Sequence, residues 1–429
     1  MNMQLNEWER NSDIYRDTSN RIIGSLELLP LSREDSQVVE HLLRNPRHAH
    51  TVSVPVRCGD EIRSFTGYRV QHSNVLGPYK GGTRFHPSVD LWHCGALAQL
   101  MTLKCSLMGL PLGGGKGGVA VDPESLTSPE LQSLTRRYTS ELNGVIGPNR
   151  DIPAPDMGTN GQIMAWMADT YRELNGGIPI PGVVTGKPLP IGGTKGRGRS
   201  TGKGAIHVAS RVAEHFGRPF THHTRAAVQG FGNVGFVCAE SLSERGIMVQ
   251  AVSDISGAIY NAAGIDVAAA QAYALSNGNR LRGFPGGEPI TNEELLALEV
   301  DVLVPAALEN AITAANMKTI RAPLIIEAAN GPVTQDAHDY LTAQGVIIVP
   351  GILANAGGVI VSYHEWVQNT EHHMWTEKYV YKQLVDTLDN AWHRTQEAAH
   401  RYAVDLQRAA DLAAVAHLGE IITTYGLWP

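Results

Sequence analysis

The chain has 429 residues, a formal net charge of -7, 43% hydrophobic residues and 18% charged residues. The charged share lies below the usual ~25%, which excludes a disordered chain, and the mild acidity excludes a dedicated nucleic-acid binder, which needs a basic surface. Glycine is in excess, 45 of 429 residues, or about 10% against an average of ~7%.

At ~150 residues per domain the length predicts two or three domains. No apolar run reaches the ~18 residues that suggest a membrane span. The opening MNMQLNEWERNSD is polar and acidic, unlike a secretory signal or an Arg-rich transit peptide. Cys58, Cys94, Cys105 and Cys238 are dispersed without a CxxC pair, so they read as free thiols of a cytoplasmic protein. The seventeen histidines, including the pairs His222/His223 and His372/His373, form no HExxH-like arrangement. They read as surface residues, with no metal site.

In chain order, TVSVPVR (51–57) alternates like a strand and turns at Cys58-Gly59-Asp60 toward a partner at SFTGYRVQHS (64–73). ALAQLMTLKCSLMGL reads as a buried helix. Ser128 as cap, Pro129 at the first helical position and the stripe Leu131, Leu134, Tyr138, Leu142 predict a helix stopping near Gly144. Residues 176–204, dense in glycine and proline, read as a crossover between domains. Beyond them the pattern is strand, helix, strand: AAVQG (226–230), a helix at 233–245, then IMVQAVSD (247–254). DVLVPA (301–306), PLIIEAAN (323–330) and VIIVP (346–350) are further strands, with a helix at 334–344. Apolar strands separated by helices predict a parallel sheet covered on both faces. From about 356 the chain reads as helices that pack back on the first domain, being too small for a core of their own.

Gly230, Gly232 and Gly235 stand in GxGxxG spacing between a strand and a helix. Such glycines give a tight turn, close approach to a pyrophosphate and close helix packing, with the helix N-terminus facing the phosphates. Asp254 ends the next strand, nineteen residues after Gly235, near the offset of a ribose-binding acid. It would accept from a ribose diol and repel a 2′-phosphate. No Arg or Lys follows in 255–260, so NAD is favoured and NADP remains open.

Three lysines draw attention: Lys80 in GPYKGGTRFHP, Lys104 within the apolar helix and Lys116 in GGGKGG. A P-loop is excluded, because Gly117 follows Lys116 and Leu110 occupies the first glycine position. Lysine is almost never buried without a partner or task. Glycines around Lys116 are expected to leave room for a substrate and to give their loop unusual backbone freedom. Ammonium groups converging in a cleft lower one another's pKa, making one a base and the others carboxylate anchors. Asp156, in DIPAPDMGTN, suits a proton relay or, alternatively, a cap for the helix at 160–174.

The motifs PYKGG, LMTLK, PLGGGKGG, DIPAPDMGTN, PGVVTGKP, QGFGNVG, VPAALEN, EAANGPVT and ANAGGVIVSYHEW resemble the hexameric glutamate dehydrogenases of the Glu/Leu/Phe/Val dehydrogenase family, from about residue 35 onward. The resemblance implies reversible oxidative deamination of L-glutamate to 2-oxoglutarate and ammonia, with hydride transfer to NAD(P), in a homohexamer. It implies Lys116 as catalytic lysine and Asp156 as its proton-transfer partner. It also implies Lys104, with Met101, for the α-carboxylate; Lys80 and Ser362 for the γ-carboxylate; and Asn355 and Val359 in the substrate pocket. Arg197, Thr201, Asn233 and Asn330 match cofactor-cleft positions beside the glycines and Asp254. The implied fold is an N-terminal α/β substrate and oligomerisation domain (1–180, with 356–429 returning to it) and an inserted, doubly wound Rossmann-like dinucleotide domain (181–355). The hinge is expected in the crossover and at ANAGG. GGTKGRGRSTGKG departs from the family segment by its extra basic residues, and Lys203 stands where an arginine or tyrosine is common. Two alternatives compete: a weakly active regulatory subunit, opposed by the intact lysine and aspartate set, and a leucine, phenylalanine or valine dehydrogenase, opposed by Lys80 and Ser362.

Overall fold

A computed structural model describes residues 5–427. The chain divides into two compact units: one takes the chain up to Lys195, Val359–Val380 and the chain from Asp411, the other takes Gly196–Gly358 and Tyr381–Ala410.

The first unit is built on a five-stranded sheet: β1 (His48–Cys58), β2 (Glu61–Ser73), β3 (Tyr79–Phe85), β4 (Gly113–Val119) and β5 (Asp151–Pro155), in the order β1-β2-β4-β3-β5. β1 and β2 form the expected hairpin, closed by Cys58 opposite Glu61. β3 runs parallel to β4 and β5. Side chains alternate across a strand, and here the alternation sorts core from chemistry. Phe85 and Val119 point into a core with Leu134, Tyr138, Ile163 and Met167, from the helices Ser128–Glu141 and Gly161–Leu174. Lys80, Gly82 and Arg84 of β3, and Gly114 and Lys116 of β4, share the opposite parity. Helix Leu91–Leu107 packs on that second face, where a Cβ at Gly114 would stand 2.1 Å from Thr102 Oγ1. The cap of Ser128–Glu141 is Thr127, one residue earlier than expected, and its N–H donates to Glu130 at 2.8 Å.

The second unit carries β6 (Arg225–Gln229), β7 (Met248–Asp254), β8 (Gly257–Tyr260), β9 (Glu288–Ile290), β10 (Val302–Pro305), β11 (Leu324–Ile326) and β12 (Ile347–Val349), in the order β12-β11-β10-β6-β7-β8-β9. Five strands are parallel, as expected. β8 and β9 add an antiparallel margin, so the sheet is mixed rather than parallel throughout. β9 is three residues long and contains Pro289, an edge composition with almost no strand signal.

The expected domain limits need correction. The division falls after Lys195, not 180, because Val183 and Val184 belong to the first unit's core. The tail does not return as a whole, since Tyr381–Ala410 joins the second unit. There Leu384 and Leu388 cover Gly204, and Asp389 accepts from His207 at 2.7 Å and Arg211 at 3.1 Å. Val359–Val380 and the chain from Asp411 do belong to the first unit, the latter with Arg21 paired to Asp411 and Ser106 Oγ donating to Ala414 O at 2.7 Å. No helix among the described residues is long and apolar enough to cross a membrane.

Candidate functional site

In the first unit the structure gathers Lys116, Asp156, Lys104 and Lys80. Asp156 directly follows β5, and its Oδ2 lies in contact with Lys116 Nζ. It does not cap the next helix; Asn160 does, accepting from Gln162 at 2.9 Å and Ile163 at 3.2 Å. A Cβ at Gly82 would reach within 2.7 Å of Asp156 Oδ2, so glycine there lets the carboxylate lie against β3. Burial opposes ionisation of Asp156. The Lys116 ammonium and Arg84 guanidinium beside it, with the Met157 N–H, outweigh burial and hold the carboxyl well below its usual range.

Arg84 is a neighbour of the Lys116–Asp156 pair that the sequence pattern alone did not single out. Its Nε lies 3.1 Å from Asp156 Oδ1, and its Nη1 lies 2.8 Å from His93 Nε2. The signal was present in KGGTR: four residues after Lys80 on a strand, Arg84 falls on the same face.

Lys104 is buried on helix Leu91–Leu107. Burial, reinforced by Lys116, lowers its pKa from 10.5 to about 8. Lys80 is 1% exposed, and its Nζ donates to Ile152 O at 3.2 Å. Burial pushes the Cys105 thiol up to about 12 against the fields of Lys80 and Lys104, and Lys80 stands opposite Gly114 on the neighbouring strand, two residues from Lys116. Met101 lies three residues before Lys104 on its helix. Val359 and Ser362, both buried, lie three apart on helix Gly357–Thr370. The glycines around Lys116 differ from expectation. GGGKGGV is a fully buried strand, not a loop, and none of its glycines uses the backbone freedom of a positive φ. They are small because neighbours press on them: a Cβ at Gly113 would fall 2.0 Å from Ser73 O, and one at Gly118 2.0 Å from Arg84 O.

In the second unit Gly230, at φ 96°, turns the chain after β6, and its N–H donates to Ser253 Oγ at 3.1 Å. Gly235 lets helix Asn233–Ser243 press on that turn, since a Cβ there would lie 1.9 Å from Gly230 O. Gly232 caps the helix without a side-chain hydrogen bond, and a Cβ on it would meet nothing. With Asn233 it presents a helix start open to an anionic group. Asp254 ends β7 and is tied down: its carboxylate accepts from the Ser256 N–H and the Leu281 N–H, both at 2.6 Å. Arg197 and Thr201 lie on the first turns of helix Arg197–His215. Asn355 Nδ2 donates to Ala329 O at 2.9 Å and lies 3.4 Å from Asn330 Oδ1. The basic segment finds its own partners, Glu240 for Arg199 and the Tyr381 ring, at 5.5 Å, for Lys203.

His222, His223, His372 and His373 are exposed as expected, but His72, His338 and His364 are buried. Among the described residues no cluster of His, Cys, Asp or Glu could hold a metal ion, and the four cysteines are free.

Residues 192–426 match the family model Glutamate/Leucine/Phenylalanine/Valine dehydrogenase, and residues 46–173 match the Glu/Leu/Phe/Val dehydrogenase dimerisation domain. The chain is similar to a glutamate dehydrogenase of Thermotoga maritima, at 46% identity over 390 residues, or 90% of this chain and 93% of that one. It is 43% identical over 396 residues to an NAD-specific glutamate dehydrogenase A of Halobacterium salinarum, covering 92% of this chain and 90% of that one. Among solved structures, a hetero-hexameric glutamate dehydrogenase of Thermus thermophilus in a Leu-bound form superposes with a TM-score of 0.91 at 35% identity. That match covers 97% of this chain and 98% of its counterpart.

Proposed function

The chain belongs to the Glu/Leu/Phe/Val dehydrogenase family, and from that premise we propose that it is a glutamate dehydrogenase. It converts L-glutamate reversibly to 2-oxoglutarate and ammonia, with NAD as the favoured hydride acceptor. One observation carries the choice of substrate: the Lys116–Asp156 pair lies among two further buried lysines, Lys104 and Lys80. Glutamate supplies a carboxylate for each. An apolar amino acid would leave one ammonium buried without its anion, a penalty that makes discrimination strong. The intact Lys116–Asp156 contact also opposes a purely regulatory subunit.

The open Gly232, the uncapped helix start and the tight Gly230 turn fit the pyrophosphate of a dinucleotide. Arg197, Thr201, Asn233 and Asn330 are the further groups we assign to it. The Asp254 carboxylate favours a ribose diol over a phosphate, in line with the NAD-specific relative. When bound, the nicotinamide accepts the hydride from the substrate Cα.

The chain's own residues then manage protons. Lys104 holds the α-carboxylate beside Met101, while Lys80 and Ser362 hold the γ-carboxylate next to Val359. Asn355 is assigned to the same substrate. Once the Cα has lost hydride, the substrate is an iminium. Lys116 in its neutral form takes a proton from water as the oxygen attacks that carbon. Asp156, in contact with Lys116, relays the proton from Lys116 to the departing amino group. Lys116, neutral again, takes the remaining hydroxyl proton as the carbonyl forms and ammonia leaves.

We further assign a homohexamer; the Thermus thermophilus neighbour is a hetero-hexamer, so light scattering of the chain purified alone decides between six copies and a mixed assembly. The activity is tested by mixing purified protein with L-glutamate, L-leucine or L-phenylalanine and NAD or NADP, and following absorbance of the reduced dinucleotide. Turnover on glutamate far above the others supports the proposal. No turnover on glutamate with either dinucleotide refutes it.

A further inference from the structure

One fully buried ion pair has no part in this chemistry. The side chains of Lys187 and Glu365 are both wholly shielded from solvent, with Lys187 Nζ 2.7 Å from Glu365 Oε1. The same carboxylate accepts the backbone N–H of Gly186 at 2.8 Å and of Lys187 at 3.2 Å. Lys187 Nζ also donates to Val184 O at 2.5 Å. Farther along helix Gly357–Thr370, Gln368 donates to Gly193 O at 3.2 Å and Asn369 to Gly192 O at 2.9 Å. Gly192 sits at φ 94°, and a Cβ there would stand 2.3 Å from Asn369 Oδ1. Residues 184–193 are therefore clamped along the helix, not slack linker.

A well-packed apolar pair would serve stability as well or better than a buried ion pair. The ion pair adds a penalty for misplacement, because any slip or rotation of the helix strands a buried charge. Ser362 lies one turn before Glu365, and Val359 one turn before that, so all three share a side of the helix. We propose that Lys187 and Glu365 are positioning residues that determine specificity: they fix the rotation of this helix so that Ser362 and Val359 meet the substrate side chain. The proposal rests on the glutamate reading.

The test uses the full-length enzyme with Lys187→Met/Glu365→Gln, which removes both charges together, and Lys187→Arg as the conservative variant. In the double variant KM for glutamate should rise about 10- to 100-fold, since a misplacement of ~1 Å far from the chemistry has effects of that order. KM for the dinucleotide should not move. Efficiency on L-norvaline, which lacks the γ-carboxylate but still meets Val359, should fall much less, so the glutamate-to-norvaline ratio falls. Lys187→Arg should restore it. Gly192→Ala perturbs the clamp from its other end and should lower the ratio too, which keeps the test open if the double variant does not fold. An unchanged ratio in a folded variant overturns the proposal, as does an equal loss on both substrates and the dinucleotide. Amide exchange at 184–193 and 357–370 is read in parallel and should rise together. If the wild type does not turn over glutamate, the functional reading fails, and exchange alone decides the clamp: unchanged exchange overturns it.

Discussion

Replacing Lys104 with methionine should stabilise the protein while disabling it, and the size of the gain should depend on pH. Lys104 is 8% exposed, and burial beside Lys116 lowers its pKa from 10.5 to about 8. In the unfolded chain the amine binds its proton at 10.5; in the fold it does so only near 8. Between those values the unfolded state holds more protons, so wild-type stability rises with pH through that window. The drop corresponds to about 3 kcal/mol, present as a cost below pH 8 and gone above 10.5. Methionine carries no such cost. The difference in unfolding free energy, Lys104→Met minus wild type, should be about 3 kcal/mol larger at pH 7 than at pH 10.5. Packing and hydrogen bonding that disappear with the lysine side chain shift both ends equally and leave this pH slope intact. Urea melts at matched protomer concentration across pH 7 to 10.5 measure it. A difference that does not vary with pH would refute the reasoning. The same variant should lose glutamate binding, because its α-carboxylate anchor is gone.

Substrate and cofactor choice can be moved by named residues. Lys80→Leu with Ser362→Val removes the γ-carboxylate partners and should lower kcat/KM for glutamate by on the order of 100-fold or more while admitting leucine or norvaline; an unchanged preference would remove both from that role. Asp254→Ser should raise the NADP-to-NAD ratio of kcat/KM, measured by initial rates. Because the Asp254 carboxylate also fastens the Leu281 N–H, the variant should additionally lose a little thermal stability.

Much of the dinucleotide unit was legible because its signals are local. A strand, a glycine turn, a helix and an acid at the next strand end lie within thirty residues, and the structure shows the geometry that spacing implies. The lysine site was legible residue by residue but not in its physics. The glycines of GGGKGG suggested a loop with unusual backbone freedom, whereas their smallness answers backbone crowding between adjacent strands, a tertiary effect that composition does not encode. Arg84 escaped notice because its meaning depends on Asp156, 72 residues away along the chain. The tail misled for a similar reason. Helix Glu377–Tyr402 shows only an amphipathic pattern, and nothing in it says that Leu384 and Leu388 will meet Gly204.

The mechanism turns on Lys116 as the base working with Asp156. Steady-state kcat of Lys116→Ala at saturating glutamate, with dinucleotide affinity measured separately by fluorescence, tests that role most directly. The expected kcat is lower by at least about 100- to 10,000-fold, with dinucleotide affinity unchanged. A variant that turns over glutamate near the wild-type rate would contradict it.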